Sequence, residues 1–147
     1  MDSLVDTTIL VYFCDPRDPR KRAKAIDTLE KGGRAGELRI PHQALVEFVS
    51  SVTRLRGREK PLMKMELAIR QAESFMDHFP VLYPNQNVFH MALYGIAAYR
   101  MAWYEAHLWA YAEHFGLPEI LSEDFEHGRR FGTVRVRNPF IEPLRAG

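Results

Sequence analysis

Two aspartates follow short apolar segments that are typical of buried strands. Asp6 closes the segment at residues 4–6, and Asp124 stands three residues after the segment at 119–121. Ligands of open α/β sheets bind beyond the carboxyl ends of the strands. If these two strands are neighbours, the two carboxylates lie about one strand spacing apart, ~5 Å, and repel each other. A hard divalent cation removes this repulsion, because Mg²⁺ prefers oxygen ligands and Mn²⁺ accepts the same ones.

Two glutamates are further candidates for the same site. Glu47 falls on a predicted helix, opposite its apolar stripe, where it faces either a groove or solvent. Glu105 flanks the apolar stripe of a later helix, where an unpaired carboxylate is partly desolvated. A metal ion or a basic partner would remove that penalty, although the helix dipole also favours an acid in a first turn. The candidate metal-binding and catalytic set is therefore Asp6, Glu47, Glu105 and Asp124.

Each of these acids also has a purely structural interpretation. Asp6 could cap the helix that begins at Thr7 or Thr8, and Asp124 could form the turn into residues 126–128. Glu47, taken alone, fits a solvated helix face. For any one residue, these roles compete on equal terms with metal binding.

Apolar periodicity predicts strands that alternate with helices along the whole chain. The predicted strands lie at residues 4–6, 38–40, 81–83, 119–121 and 133–136. The predicted helices run from 7 or 8 to 13, from 19 to about 32, from about 45 to 55, from 61 to about 79, from 85 to 101 and from 104 to 115. Such alternation is typical of parallel strands joined by right-handed crossovers. We therefore expect one α/β domain over residues 1–147, with a parallel five-stranded sheet flanked by helices on both faces.

Composition limits the class of protein. The single cysteine, Cys14, excludes an internal disulfide and a cysteine-rich zinc site, which favours a reducing cytoplasmic location. No apolar run approaches the length of a membrane span, so no membrane association is expected. The net charge of +1 does not indicate a nucleic acid partner, and only local clusters of charge can do so.

Five segments resemble the PIN-domain ribonucleases, and in particular the VapC toxins of bacterial toxin–antitoxin pairs. These segments are LVDTTIL at 4–10, LVEF at 45–48, YEA at 104–106, LSEDFEHG at 121–128 and RVRNPF at 135–140. The last two are the most specific, and the five together span nearly the whole chain. The sequence departs from the family pattern at Glu105, where Asp is usual, and at Thr8, where Asn is common.

The resemblance implies a metal-dependent endoribonuclease that cleaves single-stranded or loop RNA. It implies Mg²⁺ or Mn²⁺ held by Asp6, Glu47, Glu105 and Asp124, with metal-activated water attacking the phosphate. It further implies a homodimer, neutralised by a cognate antitoxin whose C-terminal segment lies over the active-site groove. Within the matching segments, auxiliary roles fall to Thr7, Ser122, Glu123 and His127, although a lone histidine beside a glycine more often bonds within its loop.

Basic residues near these segments are candidates for binding RNA phosphates. Arg17 and Arg20 follow the first helix, and Arg129 and Arg130 follow the fourth acidic segment. A further basic stretch at residues 54–60 surrounds Gly57. Because Arg129 and Arg130 leave the Asp124 loop directly, we expect them to lie nearer the acids than this stretch.

Two other functions compete with the nuclease. The departure at Glu105 favours a catalytically weak or inactive PIN-like domain that binds RNA or a protein partner without cutting. A phosphoacceptor or phosphatase of similar topology also places acids after the first strand. The sequence argues against it, because no second Asp lies two residues after Asp6 and no Lys ends a later strand.

Overall fold

The computed structural model describes residues 1–141 and contains six strands and six helices in that range. The strands are β1 Ser3–Val5, β2 Leu38–Pro41, β3 Val81–Leu82, β4 Glu119–Leu121, β5 Arg130–Phe131 and β6 Val134–Arg137. The helices are α1 Thr7–Cys14, α2 Pro19–Ala35, α3 His42–Thr53, α4 Met65–His78, α5 Gln86–Tyr99 and α6 Trp103–His114. A 3₁₀ turn at Pro139–Ile141 follows the last strand.

The strands form one sheet in the order β3-β2-β1-β4-β6-β5, in which all neighbours are parallel except β5 and β6. The predicted parallel sheet is confirmed, but its count of five strands is corrected to six. The additional strand, β5, forms a hairpin with β6, and Gly132 adopts a φ of +56° in the turn between them. A strand of two residues is too short to produce an apolar alternation, so the sequence pattern could not reveal it.

Alternate residues of the central strands feed two separate cores. Leu4 packs with α5 and α6, whereas its neighbour Val5 packs with residues of α1, α2, α3 and α4. Ile120 and Leu121 of β4 divide in the same way. Because successive side chains of a strand point to opposite faces, helices must cover both faces of the sheet, as predicted. None of the described helices combines the length and apolarity needed to cross a membrane.

Helix starts follow local capping chemistry. The side chain of Asp18 accepts a hydrogen bond from the Lys21 amide ahead of Pro19, and Asn85 caps α5 in the same manner. Asp6 caps α1, and its side chain accepts a hydrogen bond from the Thr7 amide. The helix predicted from residue 61 begins only at Met65, because a loop fills the interval after α3.

Helices α5 and α6 pack unusually closely at one glycine. A Cβ at Gly95 would lie 2.7 Å from a ring carbon of Trp109 and 3.1 Å from the Met101 sulfur. The Trp109 ring is 1% exposed, and its Nε1 donates a hydrogen bond of 3.0 Å to the Phe131 carbonyl. The ring is therefore held in place, and only glycine fits beneath it.

Gly95→Ala is expected to lower the stability of the protein. Overpacking against the fixed Trp109 ring typically costs 1–3 kcal/mol, which exceeds the gain of about 1 kcal/mol in helix propensity. Calorimetry should show a decrease in Tm of about 3 °C. The loss should shrink in the Trp109→Phe background, which lacks the contacting ring atoms, and equal losses in both backgrounds would contradict this packing.

Candidate active site

Asp6 and Asp124 lie at the point where the strand order of the sheet reverses. The chain runs outward from β1 to β2 and β3, then returns to place β4 on the other side of β1. Val5 pairs with Leu121 across these two neighbouring strands, and the Asp6 amide donates a 3.0 Å hydrogen bond to the Leu121 carbonyl. Both aspartates therefore follow the carboxyl ends of adjacent parallel strands, where ligands of such sheets bind.

Hydrogen bonds fix the buried carboxylate of Asp6 on both oxygens. Its Oδ1 accepts from the Thr7 amide at 2.6 Å, and its Oδ2 accepts from the Ser122 hydroxyl at 2.7 Å. The same hydroxyl accepts a 3.1 Å hydrogen bond from the Asp124 amide. The pKa of Asp6 is raised from 3.8 to about 6, chiefly by burial. The charges of Asp124 and Glu47 also raise this pKa, whereas the hydrogen bonds from Ser122 and Thr7 lower it.

Glu47 joins this pair from the second turn of α3. Its Oε2 accepts a 2.8 Å hydrogen bond from the Thr7 hydroxyl, and its Oε1 accepts one of 3.2 Å from the Gln43 amide group. Thr7 thus contacts Asp6 through its backbone and Glu47 through its side chain. One residue at the start of α1 orients two of the candidate carboxylates.

The third carboxylate, Asp124, is adjacent to a charged network. Desolvation raises the pKa of Asp124, the charges of Glu123 and Glu47 raise it further, and Lys21 opposes them. Lys21 Nζ lies 2.9 Å from Glu123 Oε2, and the Tyr12 hydroxyl donates to Glu123 Oε1 at 2.7 Å. Glu123 therefore has both oxygens engaged by α1 and α2, whereas Asp124 remains available for a ligand.

A cavity of about 960 Å³ brings three of the four predicted acids together. Asp6, Glu47 and Asp124 all line it. Glu105 lies in the first turn of α6 and is not among the lining residues, whereas its neighbour Tyr104 is. The fourth acid therefore remains a prediction.

The predicted auxiliary residues have different surroundings. Thr7 and Ser122 contact the acids directly, as described above, and Glu123 pairs with Lys21. His127 is exposed, and its Nδ1 accepts a 3.0 Å hydrogen bond from the Asn138 amide. This bond closes the loop between β4 and β6, which is the local role that competes with general acid catalysis.

Two of the predicted arginines have protein partners. Arg17 lines the cavity, and its guanidinium binds both oxygens of the buried Asp15 at 3.0 and 2.9 Å. Arg20 donates a 3.3 Å hydrogen bond to the Phe140 carbonyl. Arg17 therefore braces the end of α1 and presents only the rest of its guanidinium to the cavity.

The basic stretch after α3, and not Arg129 or Arg130, lines the cavity. Arg54, Arg56 and Arg58 are lining residues. Arg129 instead lies over the Phe131 ring at 4.5 Å, beside the hairpin that carries Arg130. Arg129 and Arg130 are not among the lining residues, and the expectation that they lie nearer the acids remains a prediction.

The donor set of the cavity suits a hard divalent cation. Three carboxylates line one cavity, and the Thr8 hydroxyl oxygen is buried without a hydrogen-bond partner among the described residues. Within residues 1–141, no three acids or histidines form a preassembled metal cage. Mg²⁺ does not require one, because it usually binds one or two carboxylates and retains several waters. The residues present therefore fit Mg²⁺ or Mn²⁺.

The raised pKa of Asp6 predicts that its charge opposes folding of the metal-free protein. Since the pKa is about 6 in the folded chain instead of 3.8, the folded state binds the proton more tightly. The stability that protonated Asp6 contributes is thus lost as the pH rises from about 4 to about 6. We expect Asp6→Asn to raise the Tm in EDTA by about 5 °C at pH 7.5, and by less at pH 4.5.

Asp77→Asn is the matched control for this measurement, because Asp77 is an exposed acid on α4 that does not line the cavity. Its Tm should follow that of the unmodified chain at both pH values. A Tm of Asp6→Asn at pH 7.5 that equals or falls below that of the unmodified chain would contradict the electrostatic interpretation.

Comparisons with known proteins agree with this architecture. The crystal structure of Mycobacterium tuberculosis VapC20, a sarcin–ricin loop cleaving toxin, is similar with a TM-score of 0.60 and 13% sequence identity. The similarity covers 81% of this chain and 87% of VapC20, which shows a shared fold. None of the curated proteins compared with the chain matches it. A family model described as PIN domain matches residues 3–130, from β1 into β5. The chain therefore belongs to the PIN domain family.

Proposed function

We propose that this chain is a metal-dependent endoribonuclease of the VapC type. The observation that carries the proposal is the convergence of Asp6, Glu47 and Asp124 in one cavity, at the carboxyl edge of a PIN domain sheet. The substrate is single-stranded or loop RNA, which is supported by the loop-cleaving activity of the structurally similar VapC20.

The four acids would have different roles in binding a cation and its water. Asp6 and Asp124 supply ligand charge, and Asp6 is held by Ser122 and Thr7 in one orientation. Glu47 contributes a further oxygen, or binds water that surrounds the cation, and Glu105 is the proposed fourth acid. When bound, Mg²⁺ or Mn²⁺ lowers the pKa of water and neutralises charge that develops on the phosphate oxygens. The carboxylates would hold the cation and its water near the scissile phosphate.

Two arginines of the cavity are free to bind RNA phosphates. Arg58 donates hydrogen bonds to the carbonyls of Ser51, Arg54 and Leu55, so it is committed to the loop. The guanidiniums of Arg54 and Arg56 have no partner among the described residues, and both side chains are exposed. They can therefore neutralise the backbone on either side of the cleaved phosphate.

We further propose an antitoxin partner, a homodimer and a cytoplasmic location. A cognate antitoxin segment would cover the same cavity, which must be open for RNA and closed for inhibition. The protein would act as a homodimer in the cytoplasm, where the lone Cys14 stays reduced.

A second candidate function is RNA or partner binding without cleavage. The position of Glu105 outside the cavity lining favours it, because a site with three acids holds a cation less firmly than one with four. The two functions differ in one measurable property. Only the nuclease releases shorter RNA when Mn²⁺ is added to protein free of any antitoxin.

Asp6→Asn and Asp124→Asn are each expected to reduce Mn²⁺-dependent cleavage of a structured RNA by at least a hundredfold. Each change removes one ligand charge and almost no volume, so circular dichroism should show an intact fold. EDTA should abolish cleavage by the unmodified chain, and Asp77→Asn should cleave normally. Full activity of either cavity variant would rule out this site.

The double variant Arg54→Gln/Arg56→Gln should bind single-stranded RNA more weakly at every sequence tested. Loss of two phosphate contacts should reduce the slope of log affinity against log salt by about 1.4. Fluorescence anisotropy in EDTA at several salt concentrations measures this slope. Arg70→Gln, an exposed arginine of α4 outside the cavity, is the control, and an unchanged slope in the double variant would contradict the assignment.

A further inference from the structure

The wall of the cavity contributed by α5 and α6 is aromatic. Phe89, Tyr104 and His107 line it, together with the acids described above. The Phe89 side chain is 47% exposed and that of Tyr104 is 69% exposed. These two helices pack on the face of the sheet opposite to α1 and α3, whereas Glu47 of α3 and the arginines that follow α3 line the same cavity. The two layers therefore present different chemistry to one space.

Folding does not account for the position of Tyr104. Within residues 1–141, its ring contacts no other aromatic ring and its hydroxyl has no hydrogen-bond partner. Among the described aromatic rings, Phe89 pairs only with His107, with ring centroids 5.8 Å apart. His107 is itself fixed, because its Nδ1 donates a 2.7 Å hydrogen bond to the Trp103 carbonyl and its ring packs on Trp103. Two large rings thus remain exposed where α5 and α6 line the cavity.

The chemistry of the cavity selects the kind of molecule that these rings fit. A nucleotide combines a flat aromatic base with an anionic phosphate, and the cavity offers exposed rings on one side and the free Arg54 and Arg56 on the other. The carboxylates lie in the same space. Base–aromatic stacking tolerates any base, because every base has a π-face. A purely apolar peptide would leave the arginines without partners.

We propose that Tyr104 and Phe89 form a base shelf that stacks an unpaired RNA base next to the cleaved phosphate. This inference rests on the proposed ribonuclease function and adds the subsite that selects its substrate. A base within a duplex is stacked on its neighbours and must be extruded before it can reach the shelf. The shelf therefore favours single-stranded and loop RNA through the cost of unstacking, without reading the sequence.

A binding experiment in EDTA tests the shelf apart from cleavage. The probe is a twelve-nucleotide single-stranded RNA with a central 2-aminopurine, whose fluorescence reports stacking. Tyr104→Ala and Phe89→Ala should each weaken binding about tenfold and remove the fluorescence change of the bound probe. Tyr104→Phe should retain both, because the ring is kept. Tyr94→Ala, an exposed aromatic residue on α5 outside the cavity lining, is the matched control.

An abasic probe completes the test. Removal of the stacked base should weaken binding to the unmodified chain as much as Tyr104→Ala does, and the two changes together should add little. Additive losses, unchanged affinity of Tyr104→Ala, or a change from dimer to monomer in light scattering would each overturn the shelf, the last by making it a subunit contact. If stacking persists but no Mn²⁺-dependent cleavage is found, the ribonuclease proposal fails and the shelf stands. If the unmodified chain cleaves RNA and Tyr104→Ala cleaves normally, the ribonuclease proposal stands and the shelf fails.

Discussion

The constraint on which this structure depends is repulsion among carboxylates at a partly buried edge of the sheet. The register of β1 against β4 leaves no freedom in the placement of Asp6, because its amide is bonded to the neighbouring strand. Thr7 and Ser122 then hold the charged groups where they repel one another. Burial of the two apolar cores offsets the unfavourable free energy of this repulsion. A fold optimised for stability alone would place neutral side chains there, so the charge indicates a functional demand.

Much of the architecture could be predicted because it is encoded locally. The alternation of strands and helices follows from apolar periodicity, and the start of α2 follows from Asp18 and Pro19. What escaped prediction depends on tertiary contacts or on very short elements. Pro61 is a good first residue for a helix, yet α4 begins at Met65, where the preceding loop has already turned at Gly57 with a φ of +77°. The hairpin of β5 likewise depends on pairing and not on its own two residues.

Residues of the site could be predicted where the end of a strand fixes their position. They were harder to predict where their position depends on the rotation of a helix about its axis. Asp6 and Asp124 follow neighbouring strands, so their approach to one cavity required only the sheet order. Successive residues of a helix are rotated by about 100° about its axis. On α6, Tyr104 therefore lines the cavity and the next residue, Glu105, does not. The contact of Lys21 with Glu123 joins α2 to the loop after β4, and no local pattern reports such a distant pairing. The same is true of Arg54 and Arg56, whose approach depends on the direction of α3.

The hydroxyl of Ser122 gives the acidic cluster a direction. Its single proton points to Asp6, and its lone pairs face the Asp124 amide, which can only donate. The loop after β4 is therefore linked through one hydroxyl to a carboxylate that is 116 residues away in the sequence but adjacent in space. Ser122 thus couples the positions of Asp6 and Asp124 without carrying a charge itself.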